Sequence, residues 1–202
     1  MKEFWDARYK EEGFAYGDEP NNFIRDSISQ LDLTGNGLFP AEGEGRNAVF
    51  AAKQNLNAYA YDISESGKAK AEELALKHNI KIDYRLGGFL NIDYPENFFD
   101  ALFFSYVHMP TSMKLNVFER HFKWMKADSF IVFEGFSINN LPYREKNPGV
   151  GGPDQEDMLY SVEELRSLLD FFKNLRVWEE EVILTEGKYH VGTAMVIRAR
   201  NF

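Results

Sequence analysis

The sequence contains no cysteine, so disulfides, thiolate metal sites and a cysteine nucleophile are all excluded. Histidine is scarce: only four occur in 202 residues, His78, His108, His121 and His190. None falls in an H-x-x-H or H-E-x-x-H spacing, and no metal site is expected. Positive charge is in deficit, with 23 Lys and Arg against 32 Asp and Glu and a net charge of -9. A partner held through its phosphates needs cations in excess, so no nucleic-acid partner is expected. No apolar run approaches the roughly 18 residues that span a bilayer. The opening MKEFWDARYK is charged from its second residue, so no membrane partner is read and a cytoplasmic protein is the expectation. No internal repeat or low-complexity linker is present.

What the chain does have is apolar side chains, 44% hydrophobic and 15% aromatic, enough to build a core and offset chain entropy. The length suits one domain over residues 1–202. Its acidic surface leaves monomer and homodimer both open.

Phe4, Trp5, Arg8 and Tyr9 share one helical face, and Phe23, Ile24, Ser27, Ile28 and Leu31 repeat the pattern after Pro20. Two short helices are expected before the turn at Gly35–Gly37, forming a cap over residues 1–34. The period then changes. GLFPA (37–41), NAYAYD (57–62), IKIDYRL (80–86), FDALFFS (99–105) and SFIVFEG (129–135) read as strands. The gaps read as helices: Ala71, Leu74 and Ala75 in one, Leu115, Phe118, Phe122 and Met125 along another, and a capping box Ser161-Val-Glu-Glu164 opening a third. Strands alternating with helices imply a parallel sheet with right-handed crossovers. RVWEEEVIL (176–184) and YHVGTAMVIRA (189–199) are separated by only TEGK, too short for a crossover, so they form an antiparallel hairpin. The expected fold is a single α/β, Rossmann-like domain with a mostly parallel seven-stranded sheet, helices on both faces and a closing hairpin. The Pro/Gly-rich stretch within 137–160 reads as a long loop, either passive or a lid.

Between the first strand and its helix lies Ala41-Glu-Gly-Glu-Gly-Arg-Asn47. Gly43 and Gly45 permit close backbone approach, and a helix opening at Arg46 presents free N–H groups to negative charge. Gly43-Glu-Gly45-Arg-Asn-Ala48 even meets the dinucleotide fingerprint. Asp62, ending the second strand, can accept both hydroxyls of a ribose. A pyrophosphate would face Glu42 and Glu44, a repulsion on the order of 1 kcal/mol per pair. S-adenosylmethionine, with a sulfonium and an ammonium beside its carboxylate, would not.

The segments FAYGDEPNNFI (14–24), EGEGRNAVFAA (42–52), YDIS (61–64), FDALFFSYVHMP (99–110) and EGKYHVGTAMVIRAR (186–200) together resemble a class I S-adenosylmethionine-dependent methyltransferase. More narrowly they are similar to the tellurite-resistance and thiopurine-methyltransferase-like branch. The resemblance implies that Ala41, Glu42, Gly43, Glu44, Gly45, Arg46 and Asn47 surround the methionine part of the cofactor, and that Asp62 and Ile63 hold the ribose. Gly88 and Phe89 would frame the adenine, Ser105 and Tyr106 would border the cofactor, and Tyr16 would close over it. The chain departs from the family pattern at Phe39 and Ala41, where an acidic residue and a first glycine are common, and at Gly88, where an aspartate is common.

In an open α/β sheet, chemistry sits at the carboxyl ends of the strands, which selects Ser105–His108, Glu134–Ser137 and the hairpin turn around Glu186–His190 and puts His108 and His190 on the cofactor side. The expected roles are that Tyr106 and His108 shape the transfer site while His190, with Arg198 or Arg46, orients or deprotonates an acceptor. That acceptor would be a small molecule of soft or anionic type, a thiol or a chalcogen oxyanion. His78 and His121 read as surface or packing residues. Two other readings stand beside this one: a non-catalytic sensor that keeps the adenosyl pocket, and a nicotinamide oxidoreductase resting on the glycine spacing alone.

Overall fold

A computed structural model describes residues 1–202. The sheet has seven strands: β1 (Asn36–Pro40), β2 (Asn57–Asp62), β3 (Asp83–Leu86), β4 (Phe99–Ser105), β5 (Met125–Phe136), β6 (Arg176–Glu186) and β7 (His190–Arg200). Their spatial order is β3-β2-β1-β4-β5-β7-β6. The first five pair in parallel, and β7 runs antiparallel to both β5 and β6. The reversed strand therefore lies inside the sheet, and β6 forms the edge. The hairpin returns through Gly187, whose φ of +58° suits glycine and whose Cβ would strike the Ala15 carbonyl at 2.3 Å. The Lys188 N–H donates to that same carbonyl at 2.9 Å, tying the hairpin tip to the N-terminal segment.

Period-two alternation explains why both faces of the sheet are buried. On β4, Leu102 and Phe104 enter one core, and Ala101 and Phe103 enter the other. On β5 the same split puts Ile131 and Phe133 on the first side and Val132 on the second. Helices α2 (Asn22–Gln30), α3 (Arg46–Lys53) and α4 (Glu65–Lys77) contribute Ile24, Ala48 and Ala71 to the second core. The first is closed by α5 (Thr111–Phe122) through Val117 and Phe118, and by α7 (Val162–Leu168) through Leu165. Phe39, where an acidic residue is common in the family pattern, stacks on Phe103 at 4.4 Å and is fully buried.

Three expectations are corrected. Leu115 was read onto the buried face of α5, but it is 59% exposed. The inward face carries Lys114, Val117, Phe118 and His121, because the buried lysine and histidine find internal partners. Lys114 binds Glu164 at 2.9 Å and the Leu159 carbonyl, and His121 meets the Tyr61 hydroxyl at 2.5 Å. The stretch 137–160 is not irregular: it holds α6 (Leu141–Lys146) and three short 3-10 turns, with Asn147 capping Gly149 N–H at 3.0 Å. The third strand begins at Asp83 rather than Ile80. Helix α1 (Lys2–Tyr9) and α2 form at the expected places, with Asn21 as the N-cap of α2.

Candidate functional site

The carboxyl ends of β1, β2, β4 and β5, the N-terminal helix and the β6–β7 turn surround a cavity of 870 Å³. Its volume is at the upper end of small-molecule sites, which run roughly 300–1,000 Å³. From the β1–α3 turn, Ala41, Glu42, Arg46 and Asn47 line it. Asp62 and Ile63 follow from the end of β2, and Gly88 and Phe89 from beyond β3. Ser105, Tyr106 and His108 come from the end of β4, Tyr16 from the N-terminal segment and His190 from β7.

Gly43, Glu44, Gly45 and Arg198 do not line the cavity, against the sequence reading. The two glycines make room inside the protein: a Cβ on Gly43 would lie 2.5 Å from the Tyr9 hydroxyl, and one on Gly45 2.5 Å from the Ala71 Cβ. Both have positive φ, +60° and +84°. Glu44 turns away, accepting the Ala15 N–H at 2.7 Å and pairing with Lys70 at 2.9 Å. Arg198 binds Glu134 and, at 2.5 Å, Glu180, with its guanidinium over the Phe23 ring at 4.8 Å.

Glu42 explains the acidic turn. One carboxylate oxygen accepts the N–H groups of Asn47 and Ala48 at 2.7 and 2.8 Å, so the helix N-terminus that would attract a phosphate is already filled by the chain's own carboxylate. Burial outweighs these bonds and pushes the Glu42 pKa up to about 7. Asp62 accepts Gly43 N–H at 3.1 Å and Ser64 N–H at 2.8 Å, and burial raises its pKa to about 6. With one backbone bond on each oxygen, it keeps lone pairs for further donors. Ala41 sits at φ +50°, the left-handed backbone that the family pattern fills with glycine.

The other side of the cavity is built from long-range contacts. His190 Nδ1 lies 3.1 Å from Glu186 Oε2, which also takes Arg46 at 3.0 Å. Despite burial, His190, Arg46 and their bonds hold the Glu186 carboxyl down, at about 2. The ionised carboxylate fixes the proton on Nδ1 and leaves Nε2 as an acceptor. His190 packs between Tyr16 and Tyr106, with ring centroids at 4.5 and 4.4 Å, and burial lowers its pKa. Asn21 Nδ2 donates to Glu186 at 2.9 Å and to Glu134 at 2.6 Å, joining the two buried carboxylates.

His108 is arranged differently. Its Nε2 accepts the Phe136 N–H at 3.2 Å and its Nδ1 meets the Met158 carbonyl at 3.0 Å. Burial lowers its pKa to about 4. Both nitrogens are committed to backbone, so His108 pins the 137–160 segment to β5 and has no lone pair for a substrate proton. Tyr106 adopts φ +52°, a conformation costing roughly 1–2 kcal/mol. Its hydroxyl is buried without a hydrogen-bond partner; burial, with Glu134 nearby, holds it protonated far above the usual range.

Sequence reasoning missed Glu186 as the carboxylate behind His190, and it missed Trp5 and Arg8 at the cavity wall. The helical stripe containing Trp5 and Arg8 was visible, but a stripe does not say which residue meets a cavity. No group of three or more histidine, aspartate or glutamate side chains is placed to hold a metal ion, and no helix is long and apolar enough to cross a membrane.

Residues 40–128 match the family model of the methyltransferase domain. This span runs from the end of β1 into β5 and contains Glu42, Asp62 and Tyr106. No curated protein sequence matches the chain. Among solved structures, the chain is similar in fold to the protein studied for conversion of a disulfide bond into a thioacetal group during echinomycin biosynthesis. That match has a TM-score of 0.72 and 15% identity, and covers 99% of this chain and 91% of the other. A SAM-dependent methyltransferase from Archaeoglobus fulgidus matches with a TM-score of 0.62 and 13% identity over 89% and 93% of the two chains. The 1,6-didemethyltoxoflavin-N1-methyltransferase of Burkholderia thailandensis, solved with bound 1,6-didemethyltoxoflavin and S-adenosylhomocysteine, matches with a TM-score of 0.60 and 15% identity over 88% and 76%. The chain thus has the fold of these proteins, and its residues 40–128 match the methyltransferase-domain model.

Proposed function

We propose that this methyltransferase-domain protein is an S-adenosylmethionine-dependent enzyme that methylates a small molecule, and that His190 removes the acceptor's proton. The cofactor supplies, when bound, a methyl group on a positively charged sulfur, which an acceptor displaces in line. The residues fit it. Asp62 and Ile63 would hold the ribose, and Gly88 and Phe89 would frame the adenine. Glu42, half ionised near neutrality, suits a cationic end and repels a pyrophosphate. That last point also weighs against a nicotinamide cofactor.

The observation carrying the acceptor chemistry is the buried Arg46–Glu186–His190 chain with Nε2 of His190 left unbonded. A carboxylate behind an imidazole orients it and stabilises the imidazolium formed when it accepts a proton. Such a base is of use only to an acceptor that arrives protonated. A thiol fits this requirement better than a chalcogen oxyanion, which arrives already deprotonated and needs no base. Phe136, Met113 and Met158 add an apolar wall, suited to a weakly hydrated sulfur. The tellurite-resistance and thiopurine-type branch belongs to this reading on motif order. The 137–160 segment is read as the lid, since Gly152, Asp154 and Met158 reach the cavity. A non-catalytic sensor has no observation of its own in its favour.

The test is transfer of labelled methyl from S-adenosylmethionine to a panel of aromatic and aliphatic thiols, with S-adenosylhomocysteine release as a second readout. Turnover that His190→Ala abolishes supports the reading. Saturable binding of S-adenosylhomocysteine with no turnover of any thiol, amine or hydroxyl acceptor would contradict it.

A further inference from the structure

Arg8 is the one cationic side chain on the cavity wall that has no carboxylate within 4.0 Å. Arg46, the other arginine there, is bound to Glu186. Arg8 makes a single hydrogen bond, from Nη1 to the Tyr16 hydroxyl at 3.0 Å, out of five N–H donors a guanidinium carries. Its surroundings are aromatic: the guanidinium carbon lies 4.0 Å from the Tyr189 ring centroid, 4.6 Å from Phe4 and 5.6 Å from Trp5. Rings cover the faces of a guanidinium while its N–H groups lie in the plane, so stacking holds the group rigid and leaves its edges to bind. The acid close by in sequence, Glu11, is occupied by the Tyr189 hydroxyl and by Lys188 at 3.4 Å. Tyr16 oxygen accepts from Arg8, and its own O–H donates to nothing in the chain, so it is a second donor beside the first.

From this we propose that Arg8 and the Tyr16 hydroxyl form a carboxylate seat at the N-terminal rim of the cavity. A planar fork presented edge-on matches a carboxylate through two parallel bonds. The Tyr16 ring also packs against His190, with centroids 4.5 Å apart, so the seat adjoins the transfer site. The inference rests on the methyltransferase reading and deepens it. Two sources of carboxylate exist, the amino-acid end of the donor and an acid group on the acceptor.

Calorimetric titration of wild type, Arg8→Met and Arg8→Lys separates them. Methionine keeps the stem packed on Phe4 and Tyr189, and ligand-free thermal unfolding checks that both variants fold. The donor arm uses S-adenosylhomocysteine and the same thioether lacking its carboxylate. A seat for the donor weakens S-adenosylhomocysteine at least tenfold in Arg8→Met and leaves the decarboxylated compound unchanged, with Arg8→Lys in between. The acceptor arm titrates 2-mercaptobenzoate into protein saturated with S-adenosylhomocysteine. A seat for the acceptor loses this binding in Arg8→Met while S-adenosylhomocysteine affinity stays at the wild-type level. Wild-type behaviour of Arg8→Met in both arms overturns the seat and leaves the methyltransferase reading intact. Failure of the wild-type protein to bind either thioether overturns both.

Discussion

The two rims of the cavity are held together in opposite ways. At the β1–β2 rim each carboxylate is bound mostly by groups near it in the chain: Glu42 by Asn47 and Ala48, and Asp62 by Ser64 and by Gly43, 19 residues away. At the β5–β7 rim, apart from the local bond between His190 and Glu186, the partners are remote. Glu186 takes Arg46 from 140 residues away, and Glu134 takes Asn21 from 113. The first rim is a pre-formed cradle of backbone dipoles. The second is a buried ion network that exists only once the hairpin has closed against the N-terminal cap.

This contrast separates two histidines that look alike in sequence. Replacing His190 with alanine is expected to lower kcat by about 10²- to 10⁴-fold, the range for loss of a general base, with a smaller change in KM. His108→Ala is expected to act on stability, at roughly 1–3 kcal/mol for each backbone group left unpaired, and to cost less in kcat than His190→Ala. Parallel kinetics and thermal unfolding check the pair. A larger kcat loss at His108 would erase the distinction.

Next in size is Arg198. Although expected beside the acceptor, it lies outside the cavity and neutralises Glu134, which is 1% exposed. Arg198→Met leaves that carboxylate buried without its cation and is expected to destabilise the fold by about 3–5 kcal/mol in denaturant unfolding.

A third comparison uses pH. Glu42 has its pKa raised by burial to about 7 from an ordinary 4.5, so the stability it contributes is full below pH 4.5 and is lost as pH rises through 7. His108 and His121, lowered by burial to about 4, act in the opposite sense: their contribution is full above pH 6.5 and is lost as pH falls through 4. These slopes oppose each other between pH 4.5 and 6.5. Glu42→Gln removes one side, so its stability should climb more steeply with pH across that window than wild type, by roughly 3 kcal/mol in total. Urea midpoints at pH 4.5, 5.5 and 6.5 would show it. Parallel curves would mean that Glu42 is not held in the low-dielectric setting its burial implies.

The smallest effect is at Ala41. With φ at +50°, Ala41→Gly is expected to relieve about 1 kcal/mol of backbone strain, raising Tm by a few degrees.

The cradle was legible in sequence and the network was not, for a physical reason. Gly43, Gly45, Asp62 and the helix start at Arg46 act within one β-α-β unit, where spacing dictates geometry. Even there the sequence cannot say that Tyr9 and Ala71 occupy the space beside Gly43 and Gly45, or that Glu44 turns to Lys70. The parallel direction of β1 to β5 followed from the alternation of strands and helices; their spatial order did not. The placement of β7 inside the sheet, and the sharing of Glu186 by His190 and Arg46, depend on tertiary pairing that no local period encodes. Lys114 and His121 show the same limit: polar residues on a buried helix face become readable only when their partners, Glu164 and Tyr61, are brought in by the fold.

The most direct test of the central claim is a calorimetric titration of the wild-type protein with S-adenosylhomocysteine, with NAD as the comparison. An acidic turn whose helix N-terminus is filled by Glu42 predicts saturable micromolar binding of S-adenosylhomocysteine and none of NAD. Saturation by NAD, or no binding of S-adenosylhomocysteine, would contradict it.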